Sequence, residues 1–141
     1  PIDAGVMKFL AKKLTTIGFK CKVLEFKEQN SKPVKNLYAR LGNTQPNFMF
    51  AGHLDVVPPG NLKDWTIKPF NPGIKKGHLI GRGANDMKSA IASWVTAVSK
   101  FLTKNKKHMS AKRYGFCVTF FSRCYALTVT KITSVTSLYI I

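Results

Sequence analysis

Hydrophobic positions along the first third of the chain change period twice. In residues 4–17, Val6, Phe9, Leu10, Leu14 and Ile17 recur at helical spacing with lysines opposite them, which predicts an amphipathic helix closed by Gly18. In KCKVLEF (20–26), Cys21, Val23 and the Leu24–Phe26 pair predict a strand, and VKNLYARL (34–41) a second one, with polar residues 27–33 turning between them. GNTQP (42–46) predicts a tight turn between antiparallel neighbours. The apolar run NFMFAG (47–52) suits a buried central strand.

Beyond it, Pro58-Pro59-Gly60 ends any regular element, and 61–77 reads as irregular chain containing Trp65, Pro69, Phe70 and Pro72. HLIGRG (78–83) predicts a strand end followed by a glycine turn. A helix is expected from Asn85 or Asp86, either of which suits the N-cap, to Leu102. Its stripe is Ala90, Ile91, Trp94, Val95, Val98 and Leu102. Residues 103–108 form a polar linker. Residues 109–141 are rich in Thr, Ser, Val, Tyr and Phe and could form strands, but their turns are poorly marked. Helix, strands and helix around an apolar strand indicate an α/β domain, in which functional residues collect beyond strand C-termini.

Composition sharpens this picture. A chain of 141 residues fits one domain, and 45% hydrophobic content supports a core. No apolar run approaches the roughly 20 residues of a membrane span. The opening PIDAGVMKFL has no signal-peptide layout, and Cys21, Cys117 and Cys124 are odd in number without metal spacing. A disulfide scaffold is therefore not expected, and a reducing compartment is. Against 23 Lys and Arg there are 6 Asp and Glu, a net +17. Only Arg40, Arg82, Arg113 and Arg123 are arginine, so the forked side chain that base and phosphate recognition favours is scarce. The basicity fits a solvated surface better than a nucleic-acid footprint. The six acids, Asp3, Glu25, Glu28, Asp55, Asp64 and Asp86, limit any carboxylate chemistry, and none lies in 87–141.

In extended chain, His53 and Asp55 point the same way, which suits an imidazole metal ligand backed by a carboxylate on its other ring nitrogen. Asp86, after the glycine turn of GRGANDMK, could bind one metal or bridge two, and Gly81 and Gly83 permit close backbone approach. Each residue also has a purely structural reading. A single His after a strand is usually a satisfied loop or core residue, and Asp86 has sufficient reason to exist as a helix cap. Trp65 and Phe70 fit loop packing, and His78 and His108 a solvated surface.

Three segments tip that balance: FAGHLDVVPPGN (50–61), DWTIKPFNP (64–72) and IKKGHLIGRGANDMKSAIA (74–92). Together they resemble the co-catalytic zinc aminoacylase/carboxypeptidase family, and the likeness extends from PIDAG to Phe101. It implies part of a zinc-peptidase-like α/β catalytic domain, a central mixed sheet flanked by helices, without its lid. It also implies two zinc ions, or cobalt in their place, with His53 a ligand of one, Asp86 bridging both, and Asp55 the catalytic aspartate behind His53. VPPG and W-x-x-x-PF-x-P favour the branch that hydrolyses N-succinyl-LL-2,6-diaminopimelate to succinate and LL-diaminopimelate, on the route to lysine. Leu54 within H-x-D and Ser89 after DMK are small departures. An acetylornithine deacetylase-like hydrolase and a non-catalytic basic binding module stand as alternatives.

The resemblance implies a small-molecule substrate, no nucleic acid or membrane, and dimerisation through a lid that this chain lacks. It also implies a later strand ending in paired glutamates, one the general base and one a ligand, with a further carboxylate and a histidine downstream. Where that strand is expected the chain reads YGFCVTFFSRCYALTVT. Residues 1–104 are therefore expected to be the N-terminal part of the catalytic domain, and 105–141 a divergent tail translated out of frame, with low activity for the chain as it stands.

Overall fold

The computed structural model describes residues 4–27, 29–30 and 32–105, together with the backbone of 115–121. Helix α1 spans Val6–Thr16 and buries Met7, Leu10 and Leu14, an i, i+3, i+7 stripe. Met7 replaces Phe9 in the expected stripe: Met7 is 2% exposed and Phe9 58%, its ring lying under the Lys13 ammonium. Gly18 ends the helix at φ 97°, with Gly18 N–H donating to Thr15 O and Phe19 N–H to Leu14 O. This paired closure is the αL stop that only glycine adopts cheaply, and it delivers Phe19 straight into the core.

The strands β1 (Lys20–Phe26) and β2 (Val34–Leu41) pair antiparallel from Lys20↔Arg40 to Phe26↔Val34, with the bounds their sequence predicts. β3 covers Asn47–His53. A small hairpin of β4 (Gly73–Lys75) and β5 (His78–Ile80) stands apart from the main sheet. Helix α2 spans Ser89–Lys104 and buries Ile91, Trp94 and Val98. β6 (Gly115–Phe121) then pairs antiparallel with β2 and parallel with β3, giving the mixed order β1-β2-β6-β3.

That order corrects two expectations. β3 is an edge strand of the described sheet, and Gly52 is its one buried residue. Residues 42–46 step across the width of β6 instead of closing a hairpin between neighbours. In both cases the cause is β6, a partner distant in sequence that takes the central place. The strand end and glycine turn expected over 78–83 are present as β5 and the turn at Gly83, in the separate hairpin. The β3–α2–β6 passage is a parallel crossover, which requires an intervening helix of this kind.

Ala39 and Phe50 both register with position 118, so they share a face of the sheet. Both helices lie on that face. Cys21 reaches the Ala11 carbonyl of α1, and Phe50 stacks on Trp94 of α2 at 5.2 Å. Phe19 meets the same indole edge-on at 6.0 Å. The core of Met7, Leu10, Leu14, Phe19, Leu37, Ala39, Leu54, Ile91, Trp94 and Val98 fills the space between. Most of the 105–141 reading, His108 included, falls outside the described residues. No helix among the described residues is long and apolar enough to cross a membrane.

Candidate metal centre

β3 pairs in register with β6 as far as His53, and the chain then leaves the sheet. His53 Nδ1 faces the next-but-one residue twice, lying 3.1 Å from the Asp55 main-chain oxygen and 3.3 Å from Asp55 Oδ1. Both partners are acceptors, so the proton of the neutral imidazole is assigned to Nδ1. That leaves a lone pair on Nε2, and 2.9 Å from it stands Asp86 Oδ1.

Asp86 arrives from the opposite direction on the irregular turn Ala84–Lys88. It does not cap α2: Asp86 (φ −117°, ψ 99°) and Met87 (φ −132°, ψ 28°) are not helical, and the cap position falls at Lys88, without a side-chain bond. Its carboxylate is thus free of the capping role its sequence position suggested. Gly83, at φ 79°, lets the turn close in, since a Cβ there would overlap Val56 Cγ1. Gly81 does the same against Pro72, whose Cβ would lie 2.8 Å away. The loop beneath is tied together at one carbonyl: Trp65 Nε1 donates to Pro59 O at 2.9 Å and the Arg82 guanidinium at 3.3 Å, with that guanidinium over the indole. Trp65 packs the loop as expected. Phe70 does not, because its ring is exposed. His78 is exposed on β5.

Three consecutive residues of the turn reach the H-x-D segment. Asp86 meets His53 Nε2, Met87 Sδ accepts the His53 N–H at 3.4 Å, and Lys88 Nζ donates to Leu54 O. Burial holds the Lys88 ammonium below the ordinary lysine range, against the opposing pull of the Asp55 carboxylate. Reading the sequence residue by residue passes over Lys88. The D-x-K spacing is the signal that could have found it.

The site is also graded in exposure. The His53 and Asp55 side chains are 19% and 22% exposed, whereas Asp86 is 80% exposed. A buried imidazole, oriented from behind, therefore presents its lone pair beside an open carboxylate. Two acceptors 2.9 Å apart repel unless a cation lies between them, either a second proton on the ring or a metal ion. A tetrahedral zinc bound to both at about 2.0–2.1 Å would set them about 3.3 Å apart, a small opening of the observed pair. The two residues fit as one edge of a metal site. Among the described residues no third His, Cys, Asp or Glu joins them. A separate apolar groove of about 560 Å³ lies between α1 and α2, reaching Leu54 and Lys88 but neither metal donor.

Residues 49–116 match peptidase family M20/M25/M40. The chain is 86% identical over 107 residues to a succinyl-diaminopimelate desuccinylase of Pelagibacter ubique (strain HTCC1062), a match covering 76% of this chain and 28% of that protein. It is 49% identical over 105 residues to the corresponding enzyme of Rhodospirillum centenum (strain ATCC 51521 / SW), covering 74% and 27%. It thus spans little more than a quarter of the length of these relatives. Among solved structures it resembles human carnosine dipeptidase 1, at a TM-score of 0.67 and 26% identity over 81% of this chain and 25% of that one. An M20 family metallo-carboxypeptidase from Sulfolobus solfataricus shares the fold, with a TM-score of 0.64 and 21% identity over 83% and 25% of the two chains.

Proposed function

Through residues 49–116 the chain belongs to peptidase family M20/M25/M40, a metallopeptidase family, and from that premise we propose that it is the metal-binding N-terminal portion of a succinyl-diaminopimelate desuccinylase. The reaction is hydrolysis of the N-succinyl amide of LL-2,6-diaminopimelate, giving succinate and LL-diaminopimelate. The 86% identity to the Pelagibacter ubique enzyme supports the substrate class. The observation that carries the chemistry is the lone pair of His53 Nε2 facing Asp86 Oδ1 at 2.9 Å, with the ring's other nitrogen held by Asp55.

His53 and Asp86 would hold the metal, in the complete site a pair of zinc ions, or cobalt, with Asp86 shared between them. Bound there, a divalent metal supplies polarisation of the amide carbonyl and lowers the pKa of water. Asp55 keeps the Nδ1 proton in place, so that Nε2 is always the donor atom and the ring cannot turn. The exposed side of Asp86 leaves room for a small substrate. Residues 87–141 contain no Asp or Glu, so this polypeptide by itself supplies no carboxylate base. A positioned base contributes about 10²–10⁴-fold, and turnover without one is expected to be lower by at least that factor than in a complete site.

Cobalt(II) titration followed by visible absorption tests the reading on the full chain. Binding should be weakened by His53→Ala and by Asp86→Asn by more than the about 10–100-fold that loss of an outer partner costs. Cobalt binding indifferent to both substitutions would refute the assignment. Rapid metal-dependent hydrolysis by this chain would show that other residues complete the site.

A further inference from the structure

Among the described residues, the last paired positions of β3 and β6 are His53↔Phe121. The carbonyl of Leu54 therefore lies past the ladder, although the Leu54 side chain is buried in the core. What holds that carbonyl is the Lys88 ammonium. Lys88 is itself fixed at its other end, where its N–H donates to Gly83 O at 3.0 Å. Its stem runs close to Gly83, such that a Cβ there would lie 3.2 Å from Lys88 Cε. Met87, one residue earlier, adds the sulfur contact to the His53 N–H.

We propose that Lys88 is a positioning residue for the metal-binding pair: by tying the Leu54 carbonyl to the turn that carries Asp86, it sets His53 and Asp86 at their mutual distance. His53 stands where the chain leaves a strand, and Asp86 on the turn that follows a hairpin. Besides the pair itself, Met87 Sδ on the His53 N–H and Lys88 Nζ on the Leu54 carbonyl link the two segments, and of these the lysine supplies a donor at the tip of a long side chain. Lysine provides that reach on a four-carbon stem. Arginine provides a comparable donor with a wider head, and methionine provides the length without a donor. The proposal rests on the reading of His53 and Asp86 as metal donors, but the positioning itself is measurable without metal.

The test uses the full chain at pH 8 with Lys88→Met, Lys88→Arg and, as a control lysine lining the α1–α2 groove, Lys100→Met. Long-range ¹H–¹⁵N correlation spectra of the metal-free proteins read the His53 tautomer. Thermal unfolding reads stability, and cobalt(II) titration reads the site. Wild type and Lys100→Met should show a single Nδ1–H tautomer. Lys88→Met should shift the ring to a mixed signal and weaken cobalt binding about 10–100-fold, the cost of losing an outer partner. Lys88→Arg should recover most of both.

A Lys88→Met protein whose ring spectrum and cobalt affinity match wild type overturns the proposal, whatever its melting temperature. So does a mixed tautomer already present in wild type. Should Lys88→Met fail to fold, a Lys88→Arg protein that folds with a mixed ring signal overturns it, and one with the single tautomer supports it. If no variant binds cobalt while Lys88→Met still shifts the ring, the metal reading falls and the positioning role stands.

Discussion

Asp86 shows how far single residues could be read. Its presence beside a glycine turn and ahead of an apolar stripe was visible, and so was the i, i+2 relation of His53 and Asp55. Whether Asp86 capped a helix or faced His53 depended on the backbone of the turn. That backbone depends on the approach of Gly83 to Val56, a contact 27 positions apart in sequence that no local pattern encodes. Gly83 is therefore the residue whose replacement should be most telling. Gly83→Ala places a Cβ into Val56 at a backbone angle of φ 79°. Left-handed strain alone costs about 1–3 kcal/mol for a non-glycine residue, and the overlap adds to it. Urea unfolding should show a loss at least that large, together with loss of cobalt binding as the turn withdraws Asp86 from His53. A Gly83→Ala protein of unchanged stability would mean that the turn closes by some other route.

Among the elements, β1 and β2 were legible to the residue because polar turn residues bound them; β2 alternates in burial along its length, whereas β1 leaves Val23 and Phe26 exposed. The lateral place of β3 was not, since an apolar run says that a strand is covered without saying by what. Helix α2 was legible as a stripe but misplaced at its start, where Asn85 and Asp86 looked like caps and the regular helix begins at Ser89. What α2 contributes is Trp94, wedged between Phe50 of β3 and Phe19 beyond α1. This indole joins both helices to the sheet directly beneath the His53 end. Trp94→Ala should cost about 3–5 kcal/mol in urea or guanidinium unfolding. The indole N–H is buried and has no hydrogen-bond partner among the described residues, a burden of about 1–3 kcal/mol. Trp94→Phe sheds that burden while keeping a ring for Phe50 and Phe19, so its loss should be less than half that of the alanine variant. Equal losses would show that indole size, and not ring contact, sets the stability of the helical layer.

Taken whole, the molecule carries its charge unevenly, and the unevenness bears on the missing chemistry. Residues 105–141 hold six bases and no acid, so they account for six of the seventeen net charges and leave +11 for the rest. The structure seats residues 115–121 from this stretch as β6, parallel to β3, with Phe121 level with His53. In sequence, Ser122-Arg123-Cys124 follow this strand, with no carboxylate among them. The family resemblance implies paired glutamates at the end of a strand following this helix, and the sequence after β6 holds none. We propose that the chain changes reading frame between about residues 105 and 109. The 86% identity to the Pelagibacter ubique enzyme covers 107 of the 141 residues. Translating the coding sequence in its other two frames from that point should yield, in one of them, an apolar strand ending in Glu-Glu. Rejoining that frame to residues 1–104 should then raise hydrolysis of N-succinyl-LL-2,6-diaminopimelate by at least the about 10²–10⁴-fold that a positioned base contributes. If neither frame encodes such a strand, residues 105–141 are this protein's own sequence, and β6 is a replacement that keeps the sheet while giving up the base.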